Sequence, residues 1–357
     1  MFFALTFTCL KADTLWAGGE ETLLAQLRGA LEEQFHDSFA ALRSEYGLHP
    51  FLSGGENAGR EGRSVILVHG LDDPGLIWCD LAPALAGLGF RVFVMSYPND
   101  QLVRDSSLLF FKELQEFAVR EGAVPVAVVA HSMGGLVTRE MLTSPAIGYE
   151  KAREDGLVPP LSHFIMVGTP NHGSVFSRLR LLTELRDQMV VGMEKGFHWL
   201  RPIADGLGEA AKDLYPGSDF LTELNSRPLP AAGRMLVIAG VLNPFELGET
   251  VAILREASEA EVSVPKSMLP QTASDSLVEK MVDQVGDGLV SVESARLSGV
   301  PLVQVHGTHV TIIRNLGSDT FRVPPAIPVI LAELKKIDGF GPDAGGEKRV
   351  GKALGQE

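Results

Sequence analysis

A single hydroxyl in "AVVAHSMGGLV" (residues 127–137) is placed where it could do chemistry. An apolar run ends at His131-Ser132, and two glycines then open a stretch with helical spacing. A serine at such a strand-to-helix turn, with Ala130 and Gly134 two positions either side, projects its hydroxyl from the carboxyl end of the strand. The helix N-terminus beside it favours developing negative charge. Serine also caps helices, and its hydroxyl is a weak nucleophile unless a base takes its proton. The chemistry therefore needs an imidazole as base and a carboxylate to orient it. In this chain order both should follow the serine.

"VGDGLVSVESARLSGVPLVQVHGTHVTIIRN" (285–315) offers both. Asp287 sits in a glycine-flanked turn, and His309 lies just past an expected strand end. Three other imidazoles compete. His306 ends that same strand. His131 adjoins the serine, but its side chain should leave the turn in another direction. His172, in "TPNHGS" (169–174), is expected to border the site and order a loop. Among carboxylates, Asp283 lies opposite the apolar face of Leu277, Val278, Met281, Val282 and Val285 and reads as a solvated charge. Glu246 follows the apolar run 234–240 and stands as the alternative to Asp287.

The elements that must position these groups can be read from apolar runs. "SVILVHG" (64–70), "RVFVMSY" (91–97), "AVPVAVVA" (123–130), "HFIMVGTP" (163–170), "RMLVIAG" (234–240) and "PLVQVHG" (301–307) read as buried strands. Segments 78–90, 103–121, 133–142 and 325–336 have helical spacing. So does 19–46, where Leu24, Leu27, Leu31, Phe35, Phe39 and Leu42 recur at steps of three and four. The expected class is α/β, with a mostly parallel central sheet and helices on both faces. One domain is expected over 62–337, preceded by an N-terminal helix and linker (19–61). Segments 171–233 and 242–286 interrupt the alternation as helical cap insertions, and 338–357 reads as a disordered tail.

Composition narrows the function classes. With 357 residues, 45% of them hydrophobic, the chain can bury a large core. A net charge of −14 repels a phosphate backbone, so nucleic acid is not an expected partner. Cys9 and Cys79 make neither a disulfide framework nor a zinc site. "GDG" lacks the oxygen ligands of a hand-like calcium loop, so no metal or other cofactor is expected. "MFFALTFTCL" is too short for a membrane span and has no basic residue before its apolar run. Residues 1–18 are compatible with a signal or anchor remnant and with a mis-set start. No later stretch is apolar for long enough to span a bilayer. Cellular location and oligomeric state are not encoded in any of these features.

Taken in order, "LVHGL", "AHSMGG", "VGTPNHGS", "GDGLVSVESARL" and "HGTHV" resemble the α/β-hydrolase fold serine lipases and esterases. Within that group the chain is similar to bacterial lipases with an Ala-first elbow and to GPI inositol-deacylase-like proteins. The resemblance spans about residues 62–335. It implies Ser132 as nucleophile, Asp287 as orienting acid and His309 as base. It implies backbone N–H donors from Met133 and Leu71 for the oxyanion. His69 and Gly70 would form the strand-end turn, Gly134 would permit close approach, and His172 would border the pocket. The implied reaction is hydrolysis of carboxylic esters with an apolar acyl chain, on a small-molecule or lipid substrate, with peripheral membrane contact compatible with that role. "FHWLRPIADGL" (197–207), "DLYPGSDFLTEL" (213–224) and "VAIL" (251–254) are expected to carry apolar side chains over the pocket. An acyltransferase or thioesterase would use the same three residues. A non-catalytic lipid- or protein-binding member is the remaining alternative, against which the presence of all three side chains argues.

Overall fold

The computed structural model describes residues 46–51, 63–71, 76–98, 101–174, 209–230, 233–242, 286–315 and 322–337. The expected helix at 19–46 and tail at 338–357 lie outside them, apart from Tyr46. So do Glu246, Asp283 and the cap stretches 197–207 and 251–254.

Seven strands form one sheet: β1 (Gly47–Pro50), β2 (Ser64–Val68), β3 (Arg91–Ser96), β4 (Val126–His131), β5 (Leu161–Val167), β6 (Arg234–Val241) and β7 (Leu302–His306). Their spatial order is β1-β3-β2-β4-β5-β6-β7. All pairs are parallel except β1 with β3. The six expected strands form within a few residues of their predicted limits. β1 lies in the stretch read as a linker. Four residues ending in proline carry no alternation to read, and the strand exists because β3 offers it an open edge.

The strands are apolar runs because each buries both faces. Ile66, Val68, Val128, Ala130, Phe164, Met166, Val237 and Ala239 face one core. There they meet α2 (Val103–Glu121) and α3 (Met133–Thr143) through Phe110, Phe117, Leu136 and Met141. Alternate residues, among them Val65, Leu67, Val129, Ile165 and Ile238, face a second core against α1 (Leu81–Gly87) and α8 (Ala326–Leu334). The shorter helices are α4 (Tyr149–Glu154), α5 (Glu209–Asp213), α6 (Asp219–Ser226) and α7 (Val292–Ala295).

α5 and α6 correct one expectation. Leu214, Phe220, Leu221 and Leu224 are buried in the first core. Segment 213–224 therefore packs onto the body instead of carrying those side chains over a pocket. Its polar edge is tied to the same helix: Arg227 pairs with the buried Glu140 of α3 at 2.6 Å, and Asn225 accepts from Arg139 at 3.0 Å.

From β2 the chain crosses to β3 on one side, and from β4 it continues to β5 on the other. The carboxyl ends of β2 and β4 thus flank a switch in winding direction, where open sheets of this kind leave a crevice.

Candidate active site

β4 delivers Ser132 to that crevice. Its backbone has φ 53° and ψ −128°, and among the described residues it is the one non-glycine with φ in the left-handed range. Such a conformation costs about 1–3 kcal/mol and persists only where the surroundings enforce it. Here they do. The Ser132 N–H donates to the Val167 carbonyl at 2.9 Å, extending the β4–β5 ladder into the turn. On the other side, a Cβ on Gly134 would lie 2.4 Å from the Val68 and His69 carbonyl oxygens. Gly134 therefore lets the start of α3 rest on the end of β2, a neighbouring strand, which is the close approach expected of it. Met133 opens α3, so its N–H belongs to the first turn, which has no intrahelical acceptor.

The loop after β2 is described as far as Leu71, which is partly buried against the first core. A Cβ on Gly70 would come within 2.7 Å of Ser132 Cβ. Gly70 is thus required for close approach and not for a left-handed turn. His69 is buried, its Nδ1 donates to the Gly70 carbonyl at 2.8 Å, and its ring stacks on Tyr97 at 4.4 Å. The Tyr97 hydroxyl donates to the His69 carbonyl at 2.5 Å. This brace on the loop carrying Leu71 comes from the end of β3 and was not singled out from sequence.

Asp287 and His309 meet at the ends of β6 and β7. Asp287 Oδ2 lies 2.7 Å from His309 Nδ1, and Asp287 Oδ1 accepts from the Leu289 and Val290 N–H groups at 3.0 and 2.8 Å. The His309 N–H donates to the Asp287 carbonyl at 2.9 Å. The carboxylate side chain is fully buried and the imidazole nearly so. A buried carboxylate needs such partners, and both oxygens have them. The bond assigns the proton of neutral His309 to Nδ1 and leaves Nε2 as an acceptor.

Two glycines make room for the pair. A Cβ on Gly240 of β6 would lie 2.6 Å from Asp287 Cβ. Gly168, just past β5, has φ 58°, and a Cβ there would come 3.1–3.2 Å from Asp287 Oδ2 and the His309 ring. Val167 holds the Ser132 N–H while Gly168 touches the dyad. The end of β5 thus lies between the serine turn and the Asp–His pair.

The competing imidazoles fall elsewhere. His306 is exposed at the end of β7. His131 is buried, and its Nε2 lies 2.9 Å from the His309 carbonyl oxygen. His172 is exposed, with Nδ1 3.4 Å from Asn225 Nδ2. The residue that orders the "TPNHGS" loop is its neighbour Asn171, fully buried. Asn171 Oδ1 accepts from Arg139 of α3 at 3.0 Å, and Nδ2 donates to the Ala295 carbonyl of α7 at 2.7 Å. One amide therefore ties the serine-bearing helix to the segment that follows Asp287. Arg139 itself is 3% exposed, and burial pushes its guanidinium down to about 10, with Arg227 adding to the effect and Glu140 opposing it. A "GTPN" string signals a loop, but nothing in it announces which of Asn171 and His172 turns inward.

A family model described as the alpha/beta hydrolase family matches residues 65–293, more than half of the sequence. The chain belongs to the alpha/beta hydrolase family. Solved structures with the same fold include the mature form of a Bacillus licheniformis lipase, at 19% identity and TM-score 0.50, covering 79% of this chain and 96% of that one. A metagenomic carboxyl esterase matches at 19% identity and TM-score 0.51, covering 77% and 76%. Staphylococcus hyicus lipase matches at 15% identity and TM-score 0.50, covering 81% and 100%. At such identities these likenesses speak to the fold. No curated protein matches the chain.

Among the described residues of this hydrolase fold, no helix is long and apolar enough to cross a membrane, and no three His, Cys, Asp or Glu side chains group as metal ligands. The glycine-flanked Asp287 is instead committed to His309 and two backbone amides.

Proposed function

We propose that the protein is a serine hydrolase that cleaves carboxylic esters with an apolar acyl chain, with Ser132 as nucleophile, His309 as base and Asp287 as the acid that orients it. The observation that carries this reading is the buried Asp287–His309 pair, whose 2.7 Å bond leaves Nε2 free to accept a proton at the same sheet edge as a strained serine. The three names reported above, two lipases and a carboxyl esterase, support the substrate class.

In the proposed cycle the Ser132 hydroxyl attacks the ester carbonyl and its proton passes to His309 Nε2. The Met133 and Leu71 N–H groups receive the developing oxyanion. Asp287 stabilises the imidazolium without taking its proton. His309 returns the proton to the leaving alcohol. Water, activated by the same imidazole, then releases the acid and restores Ser132. None of these steps calls on a group from outside the chain other than substrate and water. Segments 171–233 and 242–286 remain the proposed cap insertions, in the first of which 213–224 serves as the part packed on the body.

A fluorophosphonate probe tests the assignment. Wild type should be labelled and should hydrolyse nitrophenyl esters, and Ser132→Ala should do neither. Labelling that persists in Ser132→Ala would falsify the nucleophile. A rate that declines steadily beyond short acyl chains would overturn the apolar-chain specificity.

A further inference from the structure

His131, spent on neither nucleophile nor base in the scheme above, makes a direct bond from the serine turn to the base. It is the residue immediately before Ser132. Its Nε2 lies 2.9 Å from the carbonyl oxygen of His309. A carbonyl only accepts, so Nε2 carries the proton and donates. The two rings also touch, with centroids 4.7 Å apart and planes tilted by 46°. The Trp78 ring meets His131 in a T-shaped arrangement, with centroids 6.5 Å apart. His131, Trp78 and His309 are all buried.

This contact answers a problem that the fold leaves to the base. His309 sits beyond the last strand, in turn residues 309–313 with no ladder partner. Its imidazole is held by Asp287 at Nδ1 and its N–H by the Asp287 carbonyl, so both restraints tie it to the acid. Neither reaches the serine turn directly. The His131 side chain does, because it leaves the backbone one residue from Ser132 and ends on the backbone of His309.

We propose that His131 is a positioning residue, which sets the distance and orientation between the proposed base and nucleophile through its hydrogen bond to the His309 carbonyl. The proposal rests on the Ser132–His309 assignment above. It acts on the reacting geometry and not on substrate binding. A displacement of about 1 Å in such a constellation can cost about a hundredfold in rate, so the effect should appear in kcat and leave KM nearly unchanged.

The experiment compares His131→Phe, which keeps a flat ring against Trp78 and lacks the donor, with His131→Gln, whose amide N–H reaches about as far as Nε2. Each is measured for kcat and KM on a nitrophenyl ester, for thermal midpoint, and for the fraction of sites titrated by a fluorophosphonate. His131→Phe should lose about ten- to a hundredfold in kcat, with KM within about twofold and full titration, and His131→Gln should recover a substantial part of the loss. Wild-type kcat in His131→Phe overturns the proposal. So does an equal loss in both variants, which would make the hydrogen bond irrelevant. So does a kcat loss matched by a loss of titratable sites in both, which would make the role structural. Ser132→Ala, run beside them, separates these outcomes from a wrong nucleophile: activity surviving there refutes the assignment itself.

Discussion

Gly240→Ala should disable the protein by moving one carboxylate. Gly240 sits inside β6, paired to β7 on one side, and its backbone angle suits any residue. The added methyl would lie 2.6 Å from Asp287 Cβ and 3.0 Å from Ile312 Cγ2. Carbon atoms in contact sit about 3.6 Å apart, so something must yield by about 1 Å. The β6 backbone is held by its ladders to β5 as far as Ile238 and to β7 at Gly240 itself, whereas Asp287 rides on a turn flanked by glycines at 286 and 288. The shift therefore falls on Asp287. Moved by about 1 Å, Asp287 loses the distance and angle of its 2.7 Å bond to His309 Nδ1, and a hydrogen bond weakens steeply outside its preferred geometry. The expected result is a kcat at least about a hundredfold lower, with KM little changed. Overpacking should also cost about 1–3 kcal/mol, read as a thermal midpoint lower by several degrees. Gly87→Ala is the control, because a Cβ there meets nothing within 4 Å and should leave kcat alone. A folded Gly240→Ala variant with wild-type kcat would refute the reasoning. It would mean that Asp287 does not orient the base, and Glu246→Gln would then be expected to cost what Asp287→Asn does not.

Two further outcomes follow from buried polar groups. Asn171→Ala removes the acceptor of Arg139 and the donor to Ala295. Stranding groups of this kind costs about 1–3 kcal/mol each, so denaturant unfolding should show a larger loss than Asn225→Ala, whose site is half-exposed. His163 is buried in β5, and neither ring nitrogen has a partner among the described residues. Burial lowers its pKa, with Glu333 opposing and Arg234 and Lys336 adding to the shift. The folded state thus binds the proton more weakly than the unfolded chain, so stability is complete above about pH 6.5 and declines as pH falls below it. His163→Leu should flatten that acid limb in unfolding curves recorded from pH 7 to 5, and an unchanged slope would show that His163 does not carry it.

What could be read without coordinates was what is local. Six strands were legible because a parallel strand buried on both faces must be a run of Val, Ile and Leu, as in "SVILV" and "HFIMV". Ser132 was legible because a sharp strand-to-helix turn demands small neighbours within two residues. β1 and the six-residue α4 were not, since segments so short repeat their pattern too few times for it to stand out from the flanking residues. For the rest the deciding contacts join residues far apart in the chain. His131 reaches across 178 positions to His309, Asn171 across 124 to Ala295, and Tyr97 across 28 to His69. Residue types and spacing nominated a hydroxyl, an imidazole and a carboxylate, and left three other imidazoles and a second carboxylate in competition. Only the packed sheet chose which histidine meets Asp287. The choice depends on strand order, which brings the ends of β6 and β7 together, and on glycines at 168 and 240 whose missing side chains leave space for the pair. Excluded volume of that kind is a property of neighbours in space, and no stretch of sequence contains its own neighbours.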